Sequence, residues 1–104
     1  MQSGGLLPLV AFNYARELDL VGRYAEAVEI AEIGWQACIQ YGQYSTLPST
    51  IAIIAECYHF LNQDEKSKKY YKQAFYLFEA ICDKRGIEVI TSETKKYFGD
   101  NFSF

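Results

Sequence analysis

The sequence has few of the features that mark catalysis, secretion or membrane insertion. Its 104 residues include one histidine, two prolines and three cysteines, with no Cys-x-x-Cys pair. No apolar run approaches the roughly 18–20 residues that a membrane-spanning helix needs. Neither a glycine-rich phosphate loop nor a paired catalytic-acid motif is present. The sequence therefore predicts a protein that is not an enzyme, with no metal site, no cofactor and no membrane contact.

The cysteines and the net charge indicate the cellular location of the protein and the kind of partner it binds. Cys38, Cys57 and Cys82 are odd in number and widely spaced, and each is predicted to lie in an apolar helical stripe. Free thiols of this kind favour a reducing, cytoplasmic location. Residues 1–5 lack the basic and apolar regions of a signal peptide. The net charge of −3 argues against direct nucleic-acid contact by this segment.

Apolar residues recur at helical spacing along most of the chain, and prolines are scarce. The predicted helices span residues 6–20, 24–41, 47–61, 64–82 and 87–98. Residues 1–5 are interpreted as a linker or a cloning leader, residues 6–99 as one helical domain, and residues 100–104 as a tail without a strong signal. The pattern thus predicts a single all-α domain.

Particular residues are assigned places within these helices. Arg16, Glu17 and Asp19 are predicted to lie on the solvated side of the first helix, opposite its apolar stripe. Asp64 is predicted to be the N-cap of the fourth helix. Gly34 costs up to about 1 kcal/mol in a helix interior, so we expect a close helix contact there to offset that cost.

A short pattern occurs twice, 40 residues apart. Gly22, Tyr24 and Ala27 place a small residue at the end of the first helix, an aromatic residue in the turn and alanine in the second helix. Asn62 and Ser67 occupy the positions of Gly22 and Ala27 in the second copy. The pattern resembles the tetratricopeptide (TPR) repeat, a helix-turn-helix unit that stacks into solenoids.

The resemblance implies a fold and a binding surface. The fold would be a TPR-like right-handed α-solenoid of two helical hairpins plus a C-terminal capping helix. Extending the offset once more places Phe98 where Tyr58 stands in the second unit. In this family, ligands lie on the concave face formed by the first helix of each unit. Position by position, that face would comprise Phe12, Asn13, Arg16, Ile53, Glu56, His59 and Lys96, with Ala52, Ser92 and Glu93 beside them.

The residue types of this face suit a peptide ligand. The amide of Asn13 can both donate to and accept from a peptide backbone. Arg16 or Lys96 can bind a carboxylate. The alternative for each residue taken singly is an ordinary surface polar side chain. The sequence thus predicts a non-catalytic module for protein–protein interaction or peptide binding.

A narrower resemblance concerns the C-terminal part. The run 70–78, the turn at Asp83 and Lys84, and the segment 95–99 are similar to the end of bacterial helix-turn-helix regulators that sense peptides. This implies the sensor or dimerisation part of a protein for transcription regulation. The alternative is a structural self-association module of a larger repeat protein. Because the outer side of the first helix would lack a covering neighbour, both readings predict a homo-oligomer, most simply a dimer.

Overall fold

The chain folds into consecutive helices joined by short links. The computed structural model describes the backbone of residues 3–104 and the side chains of residues 7–100 and 102–104, and this part contains no strand. Its elements are α1 (Ser3–Leu20), α2 (Tyr24–Tyr41), α3 (Leu47–Phe60), α4 (Asp64–Ala80), α5 (Lys84–Phe98) and a 3-10 turn (Gly99–Asn101). None of the described helices is long and apolar enough to cross a membrane.

The predicted all-α class is confirmed, and α2 has the predicted bounds. The largest differences lie at two helix starts. α1 begins at Ser3, so it includes part of the segment interpreted as a leader; residues 1 and 2 of that segment lie outside the described residues. α5 begins at Lys84 instead of residue 87, because the Asp83 carboxylate accepts a hydrogen bond from the N–H of Gly86 and caps the helix earlier.

Alternate helices lie side by side. Each helix packs against the next along the chain, and α1 also contacts α3, as α3 contacts α5. The molecule measures 48 × 31 × 18 Å along its principal axes. The arrangement therefore brings α1, α3 and α5 together on one side.

The 40-residue offset is present in the backbone. Gly22 and Asn62 both adopt a left-handed conformation, with φ of 86° and 62°. Gly42 and Cys82, also 40 positions apart, do so with φ of 65° and 57°. After each of these four residues, the next N–H donates to the carbonyl five residues back, which is the Schellman arrangement that ends a helix. Cys82 therefore lies exposed in a turn, contrary to its predicted place in an apolar stripe, because α4 ends at Ala80.

Two apolar clusters form the core. The first joins α1, α2 and α3 and includes the fully buried Ile54; the second joins α3, α4 and α5 and includes Tyr71 and Ile90. The predicted close contact at Gly34 is confirmed, because a Cβ atom there would lie 2.9 Å from the Cβ of Ala11. A larger side chain would force α1 and α2 apart.

Two predicted placements are wrong. Asp19 is not on the solvated side of α1, since it is only 8% exposed. Asp64 is not the N-cap of α4: it is the first helical residue, and Gln63 precedes it without a capping side chain. The Asp64 carboxylate instead lies 2.9 Å from Nδ1 of His59.

The segment after α5 folds back onto the protein. Gly99 takes a positive φ of 72° and ends the helix. The ring of Phe104 then stacks on Phe75 with a centroid distance of 4.1 Å, and Phe102 packs 5.5 Å from Phe98. The segment described as a tail without a signal therefore covers the α4–α5 end of the core.

Candidate ligand groove

A groove with a volume of about 540 Å³ runs between α1, α3 and α5. Its lining comes mainly from these three helices, with further contacts from the end of α4 and the turn after it. The lining residues are Phe12, Arg16, Asp19, Leu20, Ser49, Ala52, Ile53, Glu56, Phe78, Asp83, Arg85, Gly86, Val89, Ile90 and Glu93. The side on which alternate helices meet thus contains a concave surface, here called the groove.

α3 and α5 line the groove with equivalent positions, 37 residues apart. The pairs are Ser49 and Gly86, Ala52 and Val89, Ile53 and Ile90, and Glu56 and Glu93. The offset is 37 instead of 40 because α4 has 17 residues where α2 has 18, and because the link 81–83 is shorter than the link 42–46. Phe98 therefore does not take the place of Tyr58, because with this offset it corresponds to Leu61.

The groove brings together four of the seven residues predicted to bind a ligand. Phe12, Arg16, Ile53 and Glu56 all line it. Of the residues named beside them, Ala52 and Glu93 line it as well, whereas Ser92 does not. The predicted residues of α1 and α3 thus line the groove except for Asn13 and His59, whereas Glu93 is the one predicted residue of α5 that lines it.

The other three predicted residues, Asn13, His59 and Lys96, lie outside the groove lining. Asn13 is exposed on α1. The ring of His59 stacks on Tyr97 with a centroid distance of 4.3 Å. The ammonium of Lys96 lies 5.7 Å from the ring centroid of the same tyrosine.

The walls of the groove are largely apolar. Phe12 and Ala52 are half-buried, whereas Val89 and Leu20 remain 48% and 72% exposed. The guanidinium of Arg16 lies 5.7 Å from the ring centroid of Phe12, an arrangement suited to a cation–π interaction. The groove therefore offers apolar surface that a ligand could remove from water.

Three acidic side chains, one from each helix, meet in the groove. We call Asp19, Glu56 and Glu93 the carboxyl cluster. Each accepts a hydrogen bond from a neighbouring protein group. The donors are the thiol of Cys57 to Asp19, the hydroxyl of Tyr97 to Glu56, and the hydroxyl of Tyr71 to Oε1 of Glu93 at 2.9 Å. The cluster thus links α1, α3, α4 and α5 through polar contacts.

Burial and the neighbouring carboxylates disfavour ionisation of two members of this cluster, Asp19 and Glu93. Burial, followed by the neighbouring Glu56, raises the pKa of Asp19 from 3.8 to about 8. Burial and Glu56 also raise the pKa of Glu93 from 4.5 to about 7, although the Tyr71 hydroxyl and Lys96 act in the opposite direction. Asp19 in particular holds its proton at neutral pH.

No basic group among the described side chains forms an ion pair with the cluster, although Lys96 acts on Glu93 from a distance. Among the side chains that the structure describes, the ion pairs are Arg23 with Glu26 and His59 with Asp64, and neither involves the cluster. In the same part of the chain, no group of three His, Cys, Asp or Glu residues could hold a metal ion. An acidic cluster that lies in a groove without an ion-pair partner is electrostatically suited to a cationic group.

Nucleophilic chemistry is not favoured in the groove. Burial, reinforced by Asp19, raises the pKa of the Cys57 thiol, so the thiol stays in its protonated, unreactive form. Burial also raises the pKa values of the phenols of Tyr71 and Tyr97, so both remain hydrogen-bond donors. The arrangement can bind and can hold protons, but it lacks an activated nucleophile.

The sequence reasoning missed Asp19 and Val89. Asp19 follows the buried Leu18 and lies four residues after the buried Ala15, so its position on the inner side is compatible with helical spacing. Asp19 belongs to a site only because α3 packs next to α1 and places Glu56 in the same groove. Val89 lies as far from the start of α5 as Ala52 lies from the start of α3, but the predicted start at residue 87 leads to Ser92 instead.

Comparisons of the chain with models of known families, with curated proteins and with solved structures yield no match.

Proposed function

We propose that the protein is a non-catalytic interaction module whose groove binds a peptide or a segment of another protein. The segment presents apolar side chains on either side of a basic one. The observation that carries this proposal is the pairing of apolar walls with a carboxyl cluster that has no basic partner among the described side chains. Charge complementarity thus defines the occupant as a basic segment.

The energetics favour a basic side chain at the cluster. A hydrogen bond between an ammonium and a carboxylate contributes about 1.5–3 kcal/mol. Apolar side chains of the ligand would contribute roughly 25 cal/mol for each Å² removed from water. The hydrogen bond to the carboxylate makes a basic residue preferred at the cluster, and the buried apolar side chains add affinity along the walls.

The fold family and the cellular setting belong to the same proposal. The side-by-side packing of alternate helices and the repeated turns support a TPR-like right-handed α-solenoid of two hairpins and a capping helix. The resemblance of the C-terminal part supports the sensor part of a cytoplasmic bacterial transcription regulator. In that setting the ligand is a peptide or protein segment, and another domain contacts DNA.

The groove assignment predicts that Val89→Arg lowers the affinity for basic peptides at least tenfold. The new guanidinium would occupy the groove and compete for the carboxyl cluster, and the half-exposed position tolerates a long side chain. The probe is a random dodecapeptide library displayed on phage and selected on the unmodified protein. We expect the selected peptides to contain lysine or arginine between apolar residues.

Ile39→Arg is the matched control, because Ile39 is 53% exposed on α2 and lies outside the groove. It adds the same charge and should leave the affinity for the selected peptides unchanged. Equal binding of these peptides to the unmodified protein and to Val89→Arg would reject the groove as the binding site.

A second candidate function is self-association through the outer side of α1. Leu7, Val10 and Tyr14 lie on one side of this helix and are 39%, 58% and 53% exposed. The hairpin of α1 and α2, each of 18 residues, presents a surface about 27 Å long. An area of roughly 600 Å² per partner, at the small end of specific interfaces, is within its reach. The occupant of this surface is a second copy of the chain.

The self-association proposal predicts a dimer at a protein concentration of about 200 µM, measured by sedimentation equilibrium. Val10→Lys should give a monomer, because it places a charge in the centre of the apolar stripe. Ile81→Lys should remain a dimer, since Ile81 is equally exposed, at 58%, but follows α4, which does not pack against α1. A monomeric unmodified protein at this concentration would eliminate this function.

A further inference from the structure

We infer that the groove exchanges protons for a basic side chain, so that its affinity for basic segments rises with pH. In the empty groove Asp19 and Glu93 hold protons, and they release them to solvent when an ammonium or guanidinium group enters. This inference deepens the proposed function and rests on it, since it concerns the regulation of the same groove.

The positions of the three carboxyl groups are the first observation that supports proton exchange. Asp19, Glu56 and Glu93 come from three helices that pack side by side, so their negative charges cannot move apart while the fold is intact. Asp19 is 8% exposed, so water compensates little of its charge. Three carboxylates in such a place repel each other, and retained protons relieve that repulsion.

The donors around the cluster do not replace a cation. The groups on α3, α4 and α5 that face it are the thiol of Cys57 and the hydroxyls of Tyr71 and Tyr97. All three are neutral donors whose own pKa values are raised by burial, so they remain protonated. Each therefore offers a hydrogen bond without a positive charge.

The charged groups near the groove leave room for a ligand cation. On α1, Arg16 is placed over the ring of Phe12. On α5, Lys96 lies over the ring of Tyr97 and acts on Glu93 from a distance, while Arg85 lines the groove near Asp83. α2 contributes no residue to the lining. None of these basic groups forms an ion pair with the cluster.

The pKa values of Asp19 and Glu93 determine the pH range over which the affinity for a basic group changes. The pKa of Asp19 is raised to about 8 and that of Glu93 to about 7, chiefly by burial. A lysine side chain, with a pKa of about 10.4, stays cationic throughout this range. For each proton released on binding, the affinity rises about tenfold per pH unit until the pH passes the pKa of the group that loses it.

The test uses n-hexylammonium chloride and n-hexanol, which share an alkyl chain and differ in charge. Binding is followed by NMR through the amide shifts of groove residues at about pH 6 and about pH 8.5. We expect the Kd for hexylammonium to fall at least tenfold between these pH values, while the Kd for hexanol stays constant. Calorimetry of hexylammonium binding in phosphate and in Tris at about pH 7.5 should show release of about one proton.

Asp19→Asn should remove most of the pH dependence, because the amide has no proton to release. Glu17→Gln is the control, since Glu17 is an exposed carboxylate on the same helix, and it should leave the dependence intact. Equal hexylammonium affinity at both pH values, with binding in the groove, would overturn the inference and leave the proposed function standing. Absence of hexylammonium binding would also overturn it. If instead the selected peptides bind Val89→Arg as tightly as the unmodified protein, the proposed function itself is rejected.

Discussion

The melting temperature of the protein is expected to fall by roughly 10 °C as the pH rises from about 5 to about 8.5. Asp19 and Glu93 have pKa values of about 8 and about 7 in the folded chain, against 3.8 and 4.5 for the same groups in water. Between about pH 4 and pH 8 the folded state therefore binds more protons than the unfolded state. Stability then decreases with rising pH and levels off above the folded pKa values. Thermal unfolding followed by circular dichroism measures the change.

Asp19→Asn should raise the melting temperature at pH 8.5 by several degrees and leave it nearly unchanged at pH 4.5. The amide keeps the shape of the protonated acid and avoids the cost of a buried charge, which is of the order of a few kcal/mol here. Glu17→Gln should have no comparable effect, because that carboxylate is exposed. A lower melting temperature of Asp19→Asn at pH 8.5 would mean that the charged form of Asp19 is stabilised by the fold.

Gly86→Ala is expected to destabilise the protein by about 2 kcal/mol. A Cβ atom at this position would lie 2.2–2.7 Å from three ring atoms of Phe78, which is only 5% exposed. Alanine normally favours a helix by about 1 kcal/mol over glycine, so the overlap must outweigh that gain. Because the ring is packed in the α3–α4–α5 cluster, it cannot turn away freely. Urea unfolding measures the loss.

Phe78→Leu provides the test of this explanation through a double-mutant cycle. In the Phe78→Leu background, the overlap at residue 86 is reduced, and Gly86→Ala should become neutral or stabilising. A loss of about 2 kcal/mol that persists in this background would show that the contact with Phe78 is not its cause. Gly86 lies in the first turn of α5, the helix that carries Val89 and Glu93, so the substitution would also displace this side of the groove.

Most of the helices could be predicted from the sequence, because local signals define them. The bounds of α2 follow from its turn residues, and the positive φ values of Gly22 and Asn62 show why a small or amide residue recurs there. The start of α5 could not be obtained from the repeat period. It depends on the Asp83 cap, which shortens the link by two residues, and on α4, which is one residue shorter than α2. Together these differences shift the register of α5 by three residues.

The candidate site was predictable only in part, because it is formed between helices. Phe12, Arg16, Ile53 and Glu56 were found because they lie on α1 and α3, where the 40-residue offset holds. Lys96 was placed by the same offset on α5, where the register differs. The burial of Asp19 depends on the position of α3, which no local pattern on α1 encodes.

The two ends of the helix stack are unlike each other, and this limits how copies can assemble. At one end Phe102 and Phe104 lie over α4 and α5, while at the other the apolar side of α1 is open to solvent. A head-to-tail contact would require the open end of one copy to displace the aromatic lid of the next. A two-fold axis joins two open ends without disturbing either lid. Association would then stop at a closed pair, because neither copy would keep an open α1 side to which a third copy could add.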